Sequence, residues 1–178
     1  MRVLAAAVLC LCFWVGLVPP LSAQAAYTAT RRVRIQIGGG ALYLHTDFSS
    51  RADEGLALWG DVDFASHVGI EGKVQFGSVR TPDAIAERRY IIGPRFSFRR
   101  GRLNLFGTVG VGQGTISNRQ LGTASTYNLA NLGGGAELVA GRHLNIRLAD
   151  LEVQRWLSFP PHGLLPVSLI AGVSYVLP

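Results

Sequence analysis

Apolar and polar side chains alternate at every second position along much of the chain, which is the pattern of β-strands. Residues 90–112 show it most clearly. From Tyr90 to Phe98 the even-numbered positions are apolar, and most odd-numbered positions between them are small or charged. Beyond a turn at 99–101, the odd-numbered positions from 103 to 111 form the apolar face, while Asn104 and Thr108 share the other face. We therefore predict a hairpin with one apolar and one polar face.

The same alternation predicts eight strands. Two places disturb it. Pro94 lies within a strand, where its missing N–H predicts a bulge, and the pattern of the seventh strand changes around Asp150, Leu151 and Glu152, where we expect a second bulge. The predicted strands are residues 31–44, 56–65, 68–79, 90–98, 103–112, 127–139, 144–153 and 166–177.

The predicted connections alternate between long and short. Long loops are expected at residues 45–55, 80–88, 113–126 and 154–165, and short turns at 66–67, 99–101 and 140–143. Strands of about ten residues with short periplasmic turns and longer outer loops are typical of transmembrane barrels. The predicted fold class is therefore all-β, an eight-stranded antiparallel up-and-down transmembrane β-barrel over residues 26–178.

Aromatic residues on the predicted apolar faces fall into two groups, one toward each end of the strands. If the first strand runs outward, one group marks the outer membrane boundary and the other the periplasmic boundary, as the aromatic girdles of membrane barrels do. The outer girdle would hold Tyr43, Phe76 and Tyr90, and the periplasmic girdle Phe64, Phe96, Phe98 and Tyr175.

A soluble secreted barrel that binds a ligand is the alternative to a membrane barrel. Such a barrel inverts the pattern, because its interior is apolar and its exterior is polar. That arrangement would place the aromatic and β-branched residues in a cavity and the charged face outside. The membrane barrel accounts better for the predicted loop asymmetry.

Residues 1–25 have the form of a secretory signal peptide: one arginine, an apolar run, and small residues before the predicted cut after Ala25. Both cysteines, Cys10 and Cys12, lie within it, so the mature chain would have no thiol chemistry. After Ala25 no apolar stretch of about eighteen residues remains, so a spanning helix is not expected. A mature chain that crosses a membrane would therefore do so as a closed barrel.

Composition and charge change this picture little. The chain is 48% hydrophobic and 16% charged, which is apolar for a soluble domain. Without the signal peptide, which holds one arginine, its net charge falls from +6 to +5. The arginines are scattered singly or in pairs, so we expect no nucleic-acid partner. Outer-membrane lipid and lipopolysaccharide head groups are the expected neighbours.

Charged residues on the predicted interior face form the strongest polar cluster. Paired carboxylates could carry acid and base catalysis. However, an eight-stranded barrel is only wide enough for side chains to fill, and buried charges must be paired, so a salt-bridged plug is the preferred interpretation. The predicted network is Asp61, Asp63, Glu71, Lys73, Arg95, Glu137 and Arg147.

Other candidate chemistry is weaker. Ser66 and His67 are adjacent in a short turn, where we do not expect them to form a nucleophile and base pair. The histidines show no metal-ligand spacing, so no metal and no cofactor are predicted; they are His45, His67, His143 and His162. Glycines within strands are expected to make room for bulky neighbours such as Trp59 and Phe106. No enzyme activity is predicted. A lipid-modifying enzyme remains the second alternative to the structural role.

The mature chain resembles the small outer-membrane barrels of OmpA and OmpX type, above all in the stretch GPRFSFRRGRLNLFGTVGVG. The resemblance implies a monomeric bacterial outer-membrane protein with a filled, poorly conducting interior, inserted by the outer-membrane assembly machinery. A structural or surface-interaction role would fall to its four long loops. The last residue is Pro178, where the family usually has an aromatic, so recognition by that machinery would depend on Tyr175 and Leu177.

We expect the mature protein to begin at Ala26, because Ala23 and Ala25 supply the small side chains required at the cut. The intact mass of protein purified from the membrane fraction measures this directly. A mass that retains residues 1–25 would contradict the prediction.

Overall fold

Eight antiparallel strands follow one another around a closed barrel, and the last strand pairs with the first. The structure is a computed structural model that describes residues 33–45, 52–78, 85–118, 120–157, 159 and 163–178; the predicted signal peptide lies outside them. The strands are β1 (Arg34–His45), β2 (Asp53–Asp63), β3 (Val68–Phe76), β4 (Ile85–Arg100), β5 (Leu103–Asn118), β6 (Thr123–Val139), β7 (Leu144–Trp156) and β8 (Val167–Val176). The predicted eight-stranded antiparallel up-and-down barrel is confirmed. The described residues include no helix that is long and apolar enough to cross a membrane.

The outer face of the sheet is apolar and the inner face is polar, as the sequence predicts. Val109 on β5 and Leu132 on β6 are 51% and 63% exposed on the outside of the barrel, whereas Arg147 on β7 is fully buried inside it. Apolar side chains on the outside and charged side chains inside are the reverse of a soluble barrel.

Strand length is uneven around the barrel. β4, β5 and β6 have 16, 16 and 17 residues, whereas the other strands have 9 to 13. The short turns 64–67, 101–102 and 140–143 lie at one end of the barrel, which we call the turn end. Each of the three long strands has one terminus there. Since about 9 to 11 tilted residues cross a bilayer, the excess length extends past the opposite side, which we call the loop end.

The predicted third loop, residues 113–126, is therefore wrong. Most of these residues continue the β5–β6 ladder, which pairs Gln113 with Asn128 and Asn118 with Thr123. Only residues 119–122 connect the two strands. The segment is rich in Gly, Ser, Thr and Asn because it lies beyond the apolar band, where an outward face need not be apolar. The alternation of long and short connections fails at this position.

One of the two predicted bulges is present. The ladder shifts register between Arg147 and Asp150 on β7, close to the place where the sequence pattern changes. The predicted bulge at Pro94 is wrong, because the β4–β5 register is the same on both sides of Gly93 and Pro94. Pairing with β5 only lapses at these two residues, while Pro94 still pairs with Ile70 of β3. A proline can sit here because the ladder hydrogen bond is missing on one side alone.

The aromatic residues assigned to girdles lie near the two ends of the barrel. At the loop end, Tyr90 pairs with Val74, and at the turn end Phe96 pairs with Val68. Phe76 is half-buried, with the Arg88 guanidinium 5.7 Å from its ring centre. The exposed members are Tyr43, Phe64, Tyr90, Phe96, Phe98 and Tyr175.

Bulky side chains fill the inside of the barrel. The Trp59 indole lies against Gly38, where a Cβ atom would overlap its ring, as expected for a glycine that makes room for a large neighbour. At the loop end an apolar cluster of Ile91, Leu129, Trp156 and Leu164 closes the interior. The partly buried Ile116, Tyr127 and Phe159 pack against this cluster.

The alternation of faces predicts opposite results for two adjacent residues of β5. Val109→Arg places a charge at the lipid-facing surface and should destabilise the barrel by about 2 to 4 kcal/mol. Thr108, which is 6% exposed, points inside, so Thr108→Arg avoids the lipid penalty and is limited by packing alone. Refolding titrations into lipid vesicles compare the two free energies of unfolding. An unchanged stability for Val109→Arg would show that this face does not contact lipid.

Candidate functional site: the charged interior

Six of the seven predicted network residues lie on inward positions of five different strands. Asp61 is on β2, Glu71 and Lys73 are on β3, and Arg95 is on β4. Glu137 and Arg147 come from β6 and β7, and all six are between 0 and 4% exposed. The period-two pattern places them inside, and the closed barrel brings them together across the narrow interior.

Arg147 is the centre of this network. Its Nη2 atom donates to Glu71 Oε2 and to Glu137 Oε1, both across 2.8 Å, and its Nη1 atom donates to Asp150 across 2.9 Å. Asp61 Oδ2 lies 3.5 Å from Nη2. Carboxylates from four strands therefore share one guanidinium group. Removal of this cation would leave each of these four buried carboxylates with only Arg95 or Lys73 as a cationic partner among the described residues.

Aromatic rings hold the guanidinium groups in place. The Arg147 guanidinium carbon lies 4.2 Å from the Trp59 ring centre and 4.6 Å from the Phe106 ring centre. Arg95 lies 4.6 Å from the Phe106 ring centre and forms ion pairs with Asp61 and with Glu137, the latter at 2.7 Å. The planar groups of both arginines thus use their edges for carboxylates and their faces for aromatic rings.

Lys73 connects a second group of carboxylates. Its Nζ atom lies 2.9 Å from Glu71, 2.6 Å from Asp150 and 2.5 Å from Glu152. These three acids are close enough together to hold a metal ion. Since the ammonium group is within ion-pair distance of all three, it occupies the position that such an ion would require. The arrangement is thus satisfied by a side chain of the protein itself.

Asp63 differs from the other predicted network members. It lies at the turn end of β2, is only half-buried, and makes no ion pair with any described residue. Its register partner on β1 is Arg34. The sequence pattern places Asp63 on the same inward face as Asp61. It does not indicate that the Asp63 carboxylate lies outside the paired network.

Asp150 and Glu152 belong to the network and were not predicted. Regular alternation from Arg147 would place both on the outside, but the register shift between Arg147 and Asp150 turns them inward, where both are fully buried. The signal that could have identified them was the disturbed pattern itself, because charged residues on a lipid-facing side are costly.

A second buried ion pair lies nearer the loop end. Arg89 Nη2 and Glu87 Oε2 form it on β4, in a segment predicted to be a loop or its border. The Arg89 guanidinium carbon is 5.4 Å from the Trp156 ring centre. Glu87 and Arg89 are buried on the same inward face as Ile91. The outward residue between them is Arg88 and not an apolar residue, so the alternation did not identify this part of the strand.

Neutral donors complement the charges. Among the described residues the central network contains five carboxylates, Asp61, Glu71, Glu137, Asp150 and Glu152, against the three cations Lys73, Arg95 and Arg147. Amide and hydroxyl groups supply further donors to them, with Gln36 donating to Asp61 across 2.8 Å and Ser168 donating to Glu152 across 3.3 Å. Gln75, Asn104 and Asn131 donate to Glu152 or Glu137. The interior is a cross-linked polar core.

The geometry of Ser66 and His67 differs from the prediction. Ser66 Oγ lies 2.7 Å from His67 Nδ1, so these adjacent side chains do hydrogen-bond. The pair is exposed in the turn between β2 and β3, and the His67 ring stacks on Phe98 with centroids 6.4 Å apart. No carboxylate of the described residues hydrogen-bonds this imidazole to orient it, as a catalytic triad requires.

Arg147→Leu should destabilise the barrel by roughly 3 to 5 kcal/mol, because it removes a buried cation that four carboxylates share. Adding Glu137→Leu should recover part of that loss, since these two side chains are direct partners. Arg155→Leu, an exposed change on the same strand, serves as the control and should stay within about 0.5 kcal/mol of the wild type. Refolding titrations of the wild type, Arg147→Leu, Glu137→Leu and the double variant complete the cycle, and Arg155→Leu is measured beside them. Strictly additive losses would mean that Arg147 and Glu137 are not energetically coupled.

Comparison with known proteins gives a match in structure alone. No protein-family model matches the sequence, and the search of curated proteins also finds no match. Several solved barrels align over most of their length. Neisserial surface protein A aligns with a TM-score of 0.62 at 11% identity, covering 80% of this chain and 95% of that one.

Two further barrels align similarly. The N-terminal β-barrel domain of Pseudomonas aeruginosa OprF has a TM-score of 0.53 at 16% identity, covering 81% of this chain and 97% of that one. Ail, the attachment invasion locus protein of Yersinia pestis, solved in complex with the heparin analogue sucrose octasulfate, has a TM-score of 0.52 at 17% identity with the same coverage. At these identities the likeness establishes the fold. The chain therefore has the fold of the small eight-stranded outer-membrane barrels.

Proposed function

We propose that this chain is a bacterial outer-membrane barrel whose interior is closed by ion pairs and which serves a structural or surface-interaction role. One observation carries the proposal. The charged side chains of the central network are almost completely buried and cross-link five strands through the middle of the barrel. A filled interior of this kind supports a scaffold rather than a channel.

The outside of the barrel supports residence in a membrane. Large apolar side chains are exposed on all eight strands, among them Ile37, Leu58, Ile70, Ile92 and Val111. A soluble monomer rarely exposes apolar patches larger than a few hundred Å². The soluble ligand-binding alternative also requires an apolar cavity, whereas the middle of this interior is occupied by ion pairs. We therefore prefer the membrane barrel.

The surface role would fall to the loop end, though not to four long loops. There, β4, β5 and β6 continue past their neighbours as a three-stranded extension, since pairing of β3 with β4 stops at Arg88 while pairing of β4 with β5 continues to Ile85. Ile116, Tyr127 and Phe159 line an opening of about 340 Å³ beside it. Ail, which shares the fold, was solved in complex with a heparin analogue, and we extend a surface-binding role to this extension.

We also propose which molecules surround the barrel. Its apolar band would contact outer-membrane lipid and lipopolysaccharide, and the assembly machinery of that membrane would insert it. We propose a monomer, because the network closes within one chain and needs no side chain from a second copy. We do not propose catalysis, since the buried network offers no accessible nucleophile and no acid among the described residues orients the exposed Ser66 and His67 pair.

We expect the purified wild-type barrel to carry no steady ion current in planar bilayers, because paired side chains occupy its interior. Heat-modifiable gel migration of the same sample checks that the protein is folded, and a water-filled porin reconstituted in parallel checks incorporation. In cell fractionation the protein should remain with the outer membrane after a high-salt wash. A steady current through folded wild-type protein would refute the closed interior, and release by salt would refute membrane residence.

A further inference from the structure

Four arginines surround the mouth of the barrel at the turn end. Arg34 comes from the start of β1, Arg99 from the end of β4, Arg102 from the β4–β5 turn, and Arg142 from the β6–β7 turn. Together with residues 139–141 they line an opening of about 510 Å³, which we call the arginine mouth. These arginines are scattered along the sequence, and the fold brings them together.

The arginine mouth spans the barrel rather than one side of it. Arg34 lies on an inward position of β1, and its Nη2 atom is 2.8 Å from the side-chain amide of Asn145 on β7. Its side chain therefore reaches past β8 toward the start of β7, next to the turn that carries Arg142. The opening lies between this guanidinium group and those of the turns.

None of these four guanidinium groups lies within ion-pair distance of a described carboxylate. In the part of the chain that the structure describes, none of the four forms a salt bridge, whereas the two arginines of the central network form six between them. Arg99 donates from Nε to the Gly101 carbonyl across 3.3 Å, and Arg99, Arg102 and Arg142 are exposed. Asp63, the register partner of Arg34, is half-buried and makes no ion pair with any residue that the structure describes. The mouth is thus a concentration of positive charge with donors directed at solvent.

The position of the mouth favours one class of ligand. Guanidinium groups bind phosphate through parallel hydrogen bonds, and several of them together suit a group with three or four acceptor oxygens. Exposed Phe98 and Tyr175 lie at the same end of the barrel, at the level where aromatic side chains meet lipid head groups. Phosphate groups of the surrounding lipid are therefore at the height of the mouth.

We propose that the arginine mouth binds a phosphate group, either of an anionic phospholipid head group or of free phosphate. Arg102 and Arg142 supply the main contacts because they project from turns and are free to close on the ligand, while Arg34 lines the inner side. The site is independent of the closed interior proposed above, since none of its arginines takes part in that network.

Two binding measurements on the full barrel test the proposal. In the first, inorganic phosphate is titrated calorimetrically into protein held in an uncharged detergent. In the second, the protein is reconstituted into nanodiscs of equal phosphatidylglycerol and phosphatidylcholine, and the lipid retained after mild detergent extraction is identified by native mass spectrometry. The test variant is Arg102→Gln with Arg142→Gln. The control is Arg88→Gln with Arg155→Gln, two exposed arginines near the loop end.

The wild type and the control should bind alike, and the test variant should bind at least about tenfold more weakly, because two charged donors are lost. Retention of phosphatidylglycerol that free phosphate does not displace assigns the site to a lipid head group. Saturable phosphate binding without a lipid preference assigns it to free phosphate. Heat-modifiable gel migration checks that both variants are folded. The proposal is overturned if the wild type binds neither probe, or if the folded test variant binds no more weakly than the folded control.

Discussion

A charge inside an eight-stranded barrel has almost no water around it, and this constraint governs the structure. Burial of an unpaired ion costs several kcal/mol, so each inward charge needs partners from strands across the barrel. Arg147 and Lys73 meet this requirement with shared partners: Glu71 of β3 and Asp150 of β7 each contact both cations. The hydrogen bonds of the ladder close the barrel, and the ion pairs hold its opposite walls together.

The interior is layered along the barrel axis as a result. The arginine mouth lies at the turn end, the paired network fills the middle, and an apolar cluster around Trp156 closes the loop end. Arg89 joins the last two layers, because its guanidinium pairs with Glu87 and faces the Trp156 ring. Charged side chains are paired within the protein where water is excluded, and the arginines remain available to a ligand where the barrel opens. This division supports a closed scaffold whose interactions occur at its ends.

Alternation of side chains was enough to predict the number of strands and the inward face, because the period of two is set by strand geometry and not by neighbours. The closed membrane barrel was predicted from the signal peptide and from the pattern of loops and turns. Arg95, Glu137 and Arg147 are buried on the face that the alternation marks as inward. The alternation could not show where β4, β5 and β6 end at the loop end, because the parts of a strand that extend past a bilayer lose the apolar face that identifies them. It also could not show that Asp63 stays outside the network or that the turn arginines converge, because both depend on distances across the barrel.

The bulge in β7 shows how the same constraint acts on the backbone. Residues 147–152 read Arg-Leu-Ala-Asp-Leu-Glu, so strict alternation that buries Arg147 would direct Asp150 and Glu152 toward lipid. A charged side chain near the middle of a bilayer costs several kcal/mol, with acids somewhat below arginine and lysine, whereas a bulge disrupts the ladder only locally. The register shift turns both acids inward, where Lys73 lies 2.6 Å from Asp150 and 2.5 Å from Glu152. Lys73 would otherwise keep only Glu71, so the irregular backbone is what completes the pairing of the interior.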